Sequence, residues 1–236
     1  MPETTPLPPV EIAAGVWNMT PGFAYSYLVV GSENALLIDS GMGRDDLLQQ
    51  IARITDKPVS VVTTHGHGDH VGGHSHFDSV WIGAEDLPML DDELRAKAHA
   101  LELDRTFDLG GGEFAEFVAL PGHTPGSIGV LLRSRRLFFT GDMICNGTIF
   151  MIEGQCDFER FIESMDVIAG YADAVDSLVT CHGEPNMLPV SHAEKQKQAA
   201  KRFLDGSLRV KHVESGLLAR AGTYYLTEDK LGFFRP

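Results

Sequence analysis

The chain has 236 residues, 43% of them hydrophobic, with 19 Lys and Arg against 33 Asp and Glu and a formal net charge of −14. That much apolar sequence excludes a disordered chain, and the acidity argues against a nucleic-acid binder, which needs a basic face for phosphates. No apolar run approaches the ~20 residues of a membrane-spanning helix, and three cysteines (Cys145, Cys156 and Cys181) cannot all pair within one chain, pointing to a reducing, cytoplasmic compartment.

Residues 1–9 form a Pro-rich leader without the basic region and apolar core of a signal peptide. Tyr25–Val30 and Ala35–Asp39 read as strands joined at Gly31-Ser32-Glu33-Asn34. Leu47, Leu48, Ile51 and Ile54 give Asp45–Thr55 helical spacing. Val59–Thr64 is a β-branched run, expected as a buried strand, and it ends in a loop crowded with Gly and His. Val80–Ile82 is a short strand, and the acidic stretch after it reads as largely helical. Phe114–Leu120, Ile128–Leu132 and Leu137–Thr140 follow as strands, then a helix at Phe158–Tyr171, a strand at Ser177–Thr180 and a helix at Ser191–Leu204. Thr223–Leu226 and Leu231–Phe234 close the chain as a hairpin. Strands alternate with helices and hairpins, so the class is α/β with mixed pairing, read as one domain over residues 1–236.

Charge is unevenly spread. Glu85–Glu116 holds ten acidic and three basic residues, and Lys195–Lys211 holds six basic residues against Asp205. Both stretches read as solvated helix faces.

The stretch that carries chemistry is Thr64-His65-Gly66-His67-Gly68-Asp69-His70, with three His and one Asp in six positions directly after a strand. Neutral imidazole and carboxylate are the N/O ligands of zinc-like divalent ions. His65 and His67 are two apart and project to one side of an extended segment. The glycines between them let Asp69 and His70 fold round to a neighbouring position. One ion needs three or four ligands, so four candidates split two and two point to two ions completed from elsewhere in the chain. Three later residues qualify by standing next to Gly at the end of an apolar strand: His123 in Pro121-Gly122-His123-Thr124-Pro125-Gly126-Ser127, Asp142 in Thr140-Gly141-Asp142, and His182 in Thr180-Cys181-His182-Gly183. His74, His76, His99, His192 and His212 read as surface or helix-face residues, and Cys145 as packing rather than a nucleophile.

Together these residues resemble the metallo-β-lactamase-fold superfamily. Its signature is a His-x-His-x-Asp-His run followed by His, Asp and His at later strand ends, and all seven positions occur here in order between His65 and His182. Leu37-Ile38-Asp39-Ser40-Gly41 resembles the family's upstream strand-end Asp-x-Gly. The resemblance implies an αββα sandwich of two mixed β-sheets flanked by helices. It assigns His65, His67 and His123 to a first metal and Asp69, His70 and His182 to a second, with Asp142 bridging them. Asp39 either orients a ligand or is a turn residue. The implied cofactor is two divalent ions, with zinc first and iron or manganese also accepted by His/Asp sites.

A hydroxide held by such a centre attacks a carbonyl, with Asp69 and Asp142 as the carboxylates of the catalytic centre. Asp142 stands where common lactamases of the family have Cys, and the di-iron flavoprotein pattern is absent, so the set looks more like glyoxalase II-type thioesterases and lactone hydrolases. The expectation is a dinuclear hydrolase of a thioester, ester or lactone. The alternatives are a mononuclear iron persulfide dioxygenase-like enzyme and, behind it, a β-lactamase. The expected partner is a small molecule, with no nucleic acid and no membrane, and a homo-oligomer is left open. Phe23 and Tyr25, with Asn146, Ile149 and Phe150 after the bridging Asp, are candidates for an apolar acyl or aryl pocket, set against an ordinary core role.

Overall fold

Short apolar runs punctuated by Gly, Asp and Asn become short strands, and longer runs with helical spacing become the helices between them. The computed structural model describes residues 7–214, 222–228 and 230–236. The chain divides into two compact units, residues 1–117 and 118–236.

The first unit is built on a seven-stranded sheet in chain order: β1 (Val10–Ala13), β2 (Val16–Asn18), β3 (Tyr27–Val30), β4 (Ala35–Ile38), β5 (Val59–Thr63), β6 (Val80–Ile82) and β7 (Ala98–Ala100). β1 to β4 form an antiparallel meander, and β4 to β7 pair in parallel, so the sheet is mixed. The crossover from β4 to β5 is α1 (Leu47–Ile54), which turns Leu47 and Ile51 onto Leu28, Leu37, Val61 and Val80. α2 (Gly68–Val71) is a single turn after β5. α3 (Asp92–Arg95) is capped by Asp91, whose carboxylate accepts the Leu94 N–H at 2.8 Å. β8 (Thr106–Gly110) pairs antiparallel with β9 (Glu113–Ala119) across a turn in which Gly110, Gly111 and Gly112 all take positive φ.

The acidic stretch after β6 is therefore not largely helical. Pro88, which lacks an amide donor, sits in a 3-10 turn at Ala84–Met89. Phe107 and Leu109 then alternate inward with the period of a strand. β1 and β2 also lie where no strand was expected.

The chain enters the second unit within β9. β10 (Ile128–Leu132) and β11 (Leu137–Phe139) form a hairpin whose turn ends at Arg136 with φ 55°. β12 (Thr148–Phe150) comes next, then α4 (Phe158–Ala169), whose Asp157 cap accepts the N–H groups of Glu159 and Arg160. α4 returns the chain to β13 (Ser177–Val179), parallel to β11, and β14 (Met187–Leu188) pairs antiparallel with β13. After α5 (His192–Leu204) come β15 (Arg209–Val213), β16 (Gly222–Leu226) and β17 (Gly232–Arg235), which with β12 make a sheet of order β12-β17-β16-β15. β12 pairs parallel with β17 and the other two pairings are antiparallel, so this sheet is mixed as well.

The core of the second unit is aromatic. Phe158 stacks on Phe203 with ring centres 4.0 Å apart, and Phe161 and Phe233 complete the cluster. β12 and β15 were missed in the sequence, since Thr148-Ile149-Phe150 has one fully inward side chain and Arg209-Val210-Lys211-His212 is exposed throughout. The basic stretch is thus a helix followed by an exposed strand.

Candidate metal centre

In the first unit the site is built outward from Asp39, at the end of β4. Its φ of 61° lies in the left-handed region, a strained place for a non-glycine residue. Its N–H donates to the Val62 carbonyl at 2.9 Å, which ties the strained turn to β5. Its carboxylate, 0% exposed, accepts three hydrogen bonds: from the Thr64 N–H at 2.7 Å, the Thr64 hydroxyl at 2.9 Å and His70 Nδ1 at 2.8 Å.

These bonds set the protons on the ring nitrogens. A carboxylate only accepts, so His70 carries its proton on Nδ1 and presents the Nε2 lone pair. The Thr64 hydroxyl hydrogen is given to Asp39, so His65 Nδ1, 3.1 Å from that oxygen, is the donor, and its Nε2 is likewise bare. His65 Nε2 faces His67 Nδ1 at 3.1 Å. Two nitrogens on one tetrahedral or octahedral ion, each about 2.0–2.1 Å away, would stand roughly 2.9–3.4 Å apart. The pair fits a shared ion. Asp69 Oδ2 lies 3.9 Å from His70 Nε2, and the Asp69 side chain is partly exposed.

Two further side chains hold this loop. Asp86 is fully buried, and its carboxylate accepts the N–H of Gly66, the residue between His65 and His67, at 2.8 Å. Sequence reading had counted Asp86 among solvated acids; only its place beside Leu87 and Pro88 in a breaking turn hinted otherwise. His74, also fully buried, meets the Thr63 hydroxyl at 2.6 Å, and burial pushes its pKa down to about 4, so it is neutral.

In the second unit three strand ends carry the candidate ligands. His123 follows Gly122, whose φ is +139° and where an added Cβ would come within 2.4 Å of the Phe161 main chain. Only glycine lets this loop seat directly on α4. Asp142 lies in a 3-10 turn, Gly141–Met143, after β11, and His182 follows β13. Asp142 Oδ2 is 3.3 Å from His182 Nε2 and 3.6 Å from His123 Nε2. Direct charge-assisted hydrogen bonds are shorter, about 2.7–2.9 Å. The same separations suit a carboxylate oxygen and imidazole nitrogens gathered around an ion, so the donor chemistry here also fits a divalent metal.

Asp39, His65, His67, Asp69 and His70 thus lie together in the first unit, and His123, Asp142 and His182 in the second. Of the expected pocket residues, Tyr25 is packed inward against Tyr27 and Ile149 is in the aromatic core, whereas Phe23 and Asn146 are exposed and Phe150 is half-buried against Phe234. Cys145 is buried, and burial pushes its thiol up to about 12, which leaves it inert. All three cysteines are free. Among the described residues no helix is long and apolar enough to cross a membrane.

Residues 19–205 match the family model of the metallo-beta-lactamase superfamily. The chain is 33% identical over 147 residues to the hydroxyacylglutathione hydrolase GloC of Haemophilus influenzae, covering 54% of this chain and 68% of that protein. It is 31% identical over 188 residues to metallo-beta-lactamase domain-containing protein 1 of Xenopus laevis, covering 74% and 76%. Among solved structures, the metallo-beta-lactamase FIM-1 of Pseudomonas aeruginosa in its mono-zinc form is 20% identical, with a TM-score of 0.68 over 86% of this chain and 98% of that one. The fold class expected from sequence, mixed sheets flanked by helices, is the one observed. The chain belongs to the metallo-β-lactamase superfamily.

Proposed function

We propose that the protein is a dinuclear metal-dependent hydrolase of a thioester, with His65, His67 and His123 holding one divalent ion, Asp69, His70 and His182 the other, and Asp142 both. The observation that carries this reading is Asp142 Oδ2 facing two imidazole Nε2 atoms at 3.3 and 3.6 Å, a carboxylate arranged to serve more than one centre. The thioester choice rests on the hydroxyacylglutathione hydrolase relative, together with Asp rather than Cys at the bridging position. Bound there, two divalent ions supply a water acidic near pH 7 and an electrophile for a carbonyl oxygen.

The protein's own share is orientation. Asp39 holds the His70 ring by Nδ1 and, through the Thr64 hydroxyl, the His65 ring, so that both present a lone pair rather than a proton. Asp86 fixes the main chain between His65 and His67. For contact with an acyl group we propose exposed Phe23 and half-buried Phe150, the apolar candidates that stay partly open to solvent.

The test is metal analysis of the purified protein joined to a hydrolysis panel of a hydroxyacylglutathione, an acyl-homoserine lactone, a β-lactam and a phosphodiester. Metal-dependent release of free thiol, abolished by a chelator and restored by zinc, is expected. Faster turnover of the β-lactam, or consumption of oxygen with a persulfide by protein holding one iron, overturns the assignment.

A further inference from the structure

In the sequence His192 reads as a surface or helix-face residue, whereas the side chain is buried, and nothing in the proposed ligand set involves it. It begins α5, is 7% exposed, and its Nε2 lies 3.1 Å from the carbonyl oxygen of Cys145. A carbonyl only accepts, so Nε2 carries the proton and donates. α5 itself is firmly seated, with Ala193, Ala199 and Ala200 in the core and Phe203 stacked on Phe158.

Cys145 is three residues after Asp142 and is part of a second set of contacts. Its Sγ donates to the His182 carbonyl at 3.6 Å, and the next residue, Asn146, donates from Nδ2 to the Glu184 carbonyl at 2.7 Å. The Thr180 hydroxyl donates to the His182 carbonyl at 3.0 Å. Gly183, with φ +79°, allows this approach, since a Cβ there would stand 3.2 Å from the Asn146 carbonyl oxygen. Two loops, 142–146 and 180–184, are therefore held against each other by hydrogen bonds to main-chain carbonyls, and α5 holds the first of them through one imidazole N–H.

We propose that His192 is a positioning residue for Asp142 and His182: it fixes the Cys145 carbonyl, and through Cys145 and Asn146 it sets the spacing of the carboxylate and the imidazole. This rests on the proposed metal-ligand role of those two residues. Outer hydrogen-bond partners of ligands typically change metal affinity 10- to 100-fold. A purely packing role for His192 would change stability instead.

The experiment compares the full chain with His192→Leu, which removes the donor and keeps apolar bulk, and His192→Gln, which keeps an N–H at similar reach. Zinc stoichiometry and affinity are read by competition with a chromophoric chelator, beside melting of the metal-free proteins. Asn146→Ala, at an exposed position, probes the same clamp without disturbing the core. The expected result is two equivalents on the wild-type chain, about 10- to 100-fold weaker binding of one equivalent in His192→Leu, a lesser loss of that equivalent in Asn146→Ala, and recovery of most of the affinity in His192→Gln. Wild-type affinities in His192→Leu, equal losses in the Leu and Gln variants, or an unchanged Asn146→Ala overturn the positioning role while leaving the metal reading intact. A wild-type chain that binds no zinc overturns the metal reading and the clamp with it.

Discussion

The two units organise their candidate ligands by different means. In the first, four ligand-type residues follow one strand within six positions, and a single carboxylate, Asp39, holds the imidazole of His70 and reaches that of His65 through Thr64. In the second, the ligands come from three separate strand ends and are placed through the main chain: Gly122 against α4, and the Asp142 and His182 loops through carbonyl contacts. Ring-held ligands have their tautomers set by a partner, so their failure should show in metal affinity. Main-chain-held ligands depend on backbone fit, so their failure should reach stability as well.

Asp142→Ala gives the largest expected effect, since it removes the one residue assigned to both ions. Turnover should fall on the order of 10²–10³-fold, the size of effect seen when one electrostatic group of a reacting centre is removed, with one metal equivalent lost and the circular dichroism spectrum retained. Wild-type turnover in this variant would remove Asp142 from the chemistry. Gly122→Ala tests the main-chain half. Its methyl collides with the backbone of Phe161, and overpacking of this kind costs about 1–3 kcal/mol. Denaturant unfolding of the metal-free protein should report that loss, and an unchanged midpoint would show that the loop does not need its close seat on α4.

His74 belongs to the first unit and predicts a pH effect. Its folded pKa of about 4 lies below the ordinary 6.5, so the unfolded chain binds a proton more readily between those values. The stability this neutral histidine contributes is present above pH 6.5 and is lost as pH falls toward 4, on the order of 3 kcal/mol in all. Urea unfolding of the metal-free protein at pH 7, 5.5 and 4 should follow that slope, and His74→Gln should flatten it. An identical slope in the variant would assign the acid sensitivity to other groups. The smallest expected effect is Asp39→Asn, which can still accept from Thr64 and His70 at its remaining oxygen. Zinc affinity should weaken by about tenfold, less than in Asp39→Ala, and equal losses in the two variants would mean that charge rather than hydrogen bonding is what Asp39 provides.

The same contrast explains what was legible in the sequence. The cluster His65 to His70 could be read directly, because residue type, spacing and glycines coincide within a few positions. His123, Asp142 and His182 each look like an ordinary turn residue alone and gain meaning only as a set. The long apolar elements, such as β5, β10 and α4, announced themselves by pattern. β1, β2, β7, β12 and β15 did not, because none is a continuous apolar run and most of their positions are exposed or half-buried. Asp86 was hidden inside an acidic run whose other members face water, and the donor role of His192 depends on a carbonyl 47 residues away. Contacts of that range leave no local trace.

The central claim is that this chain holds two divalent ions on seven side chains. The measurement that tests it most directly is the zinc content of the full chain after metal stripping, reloading and gel filtration, taken beside that of Asp142→Ala. The account predicts about two equivalents per wild-type chain, the ligand sets filling two sites, and at most one in the variant. One equivalent or none on the wild-type chain, or the same content in both proteins, would contradict it.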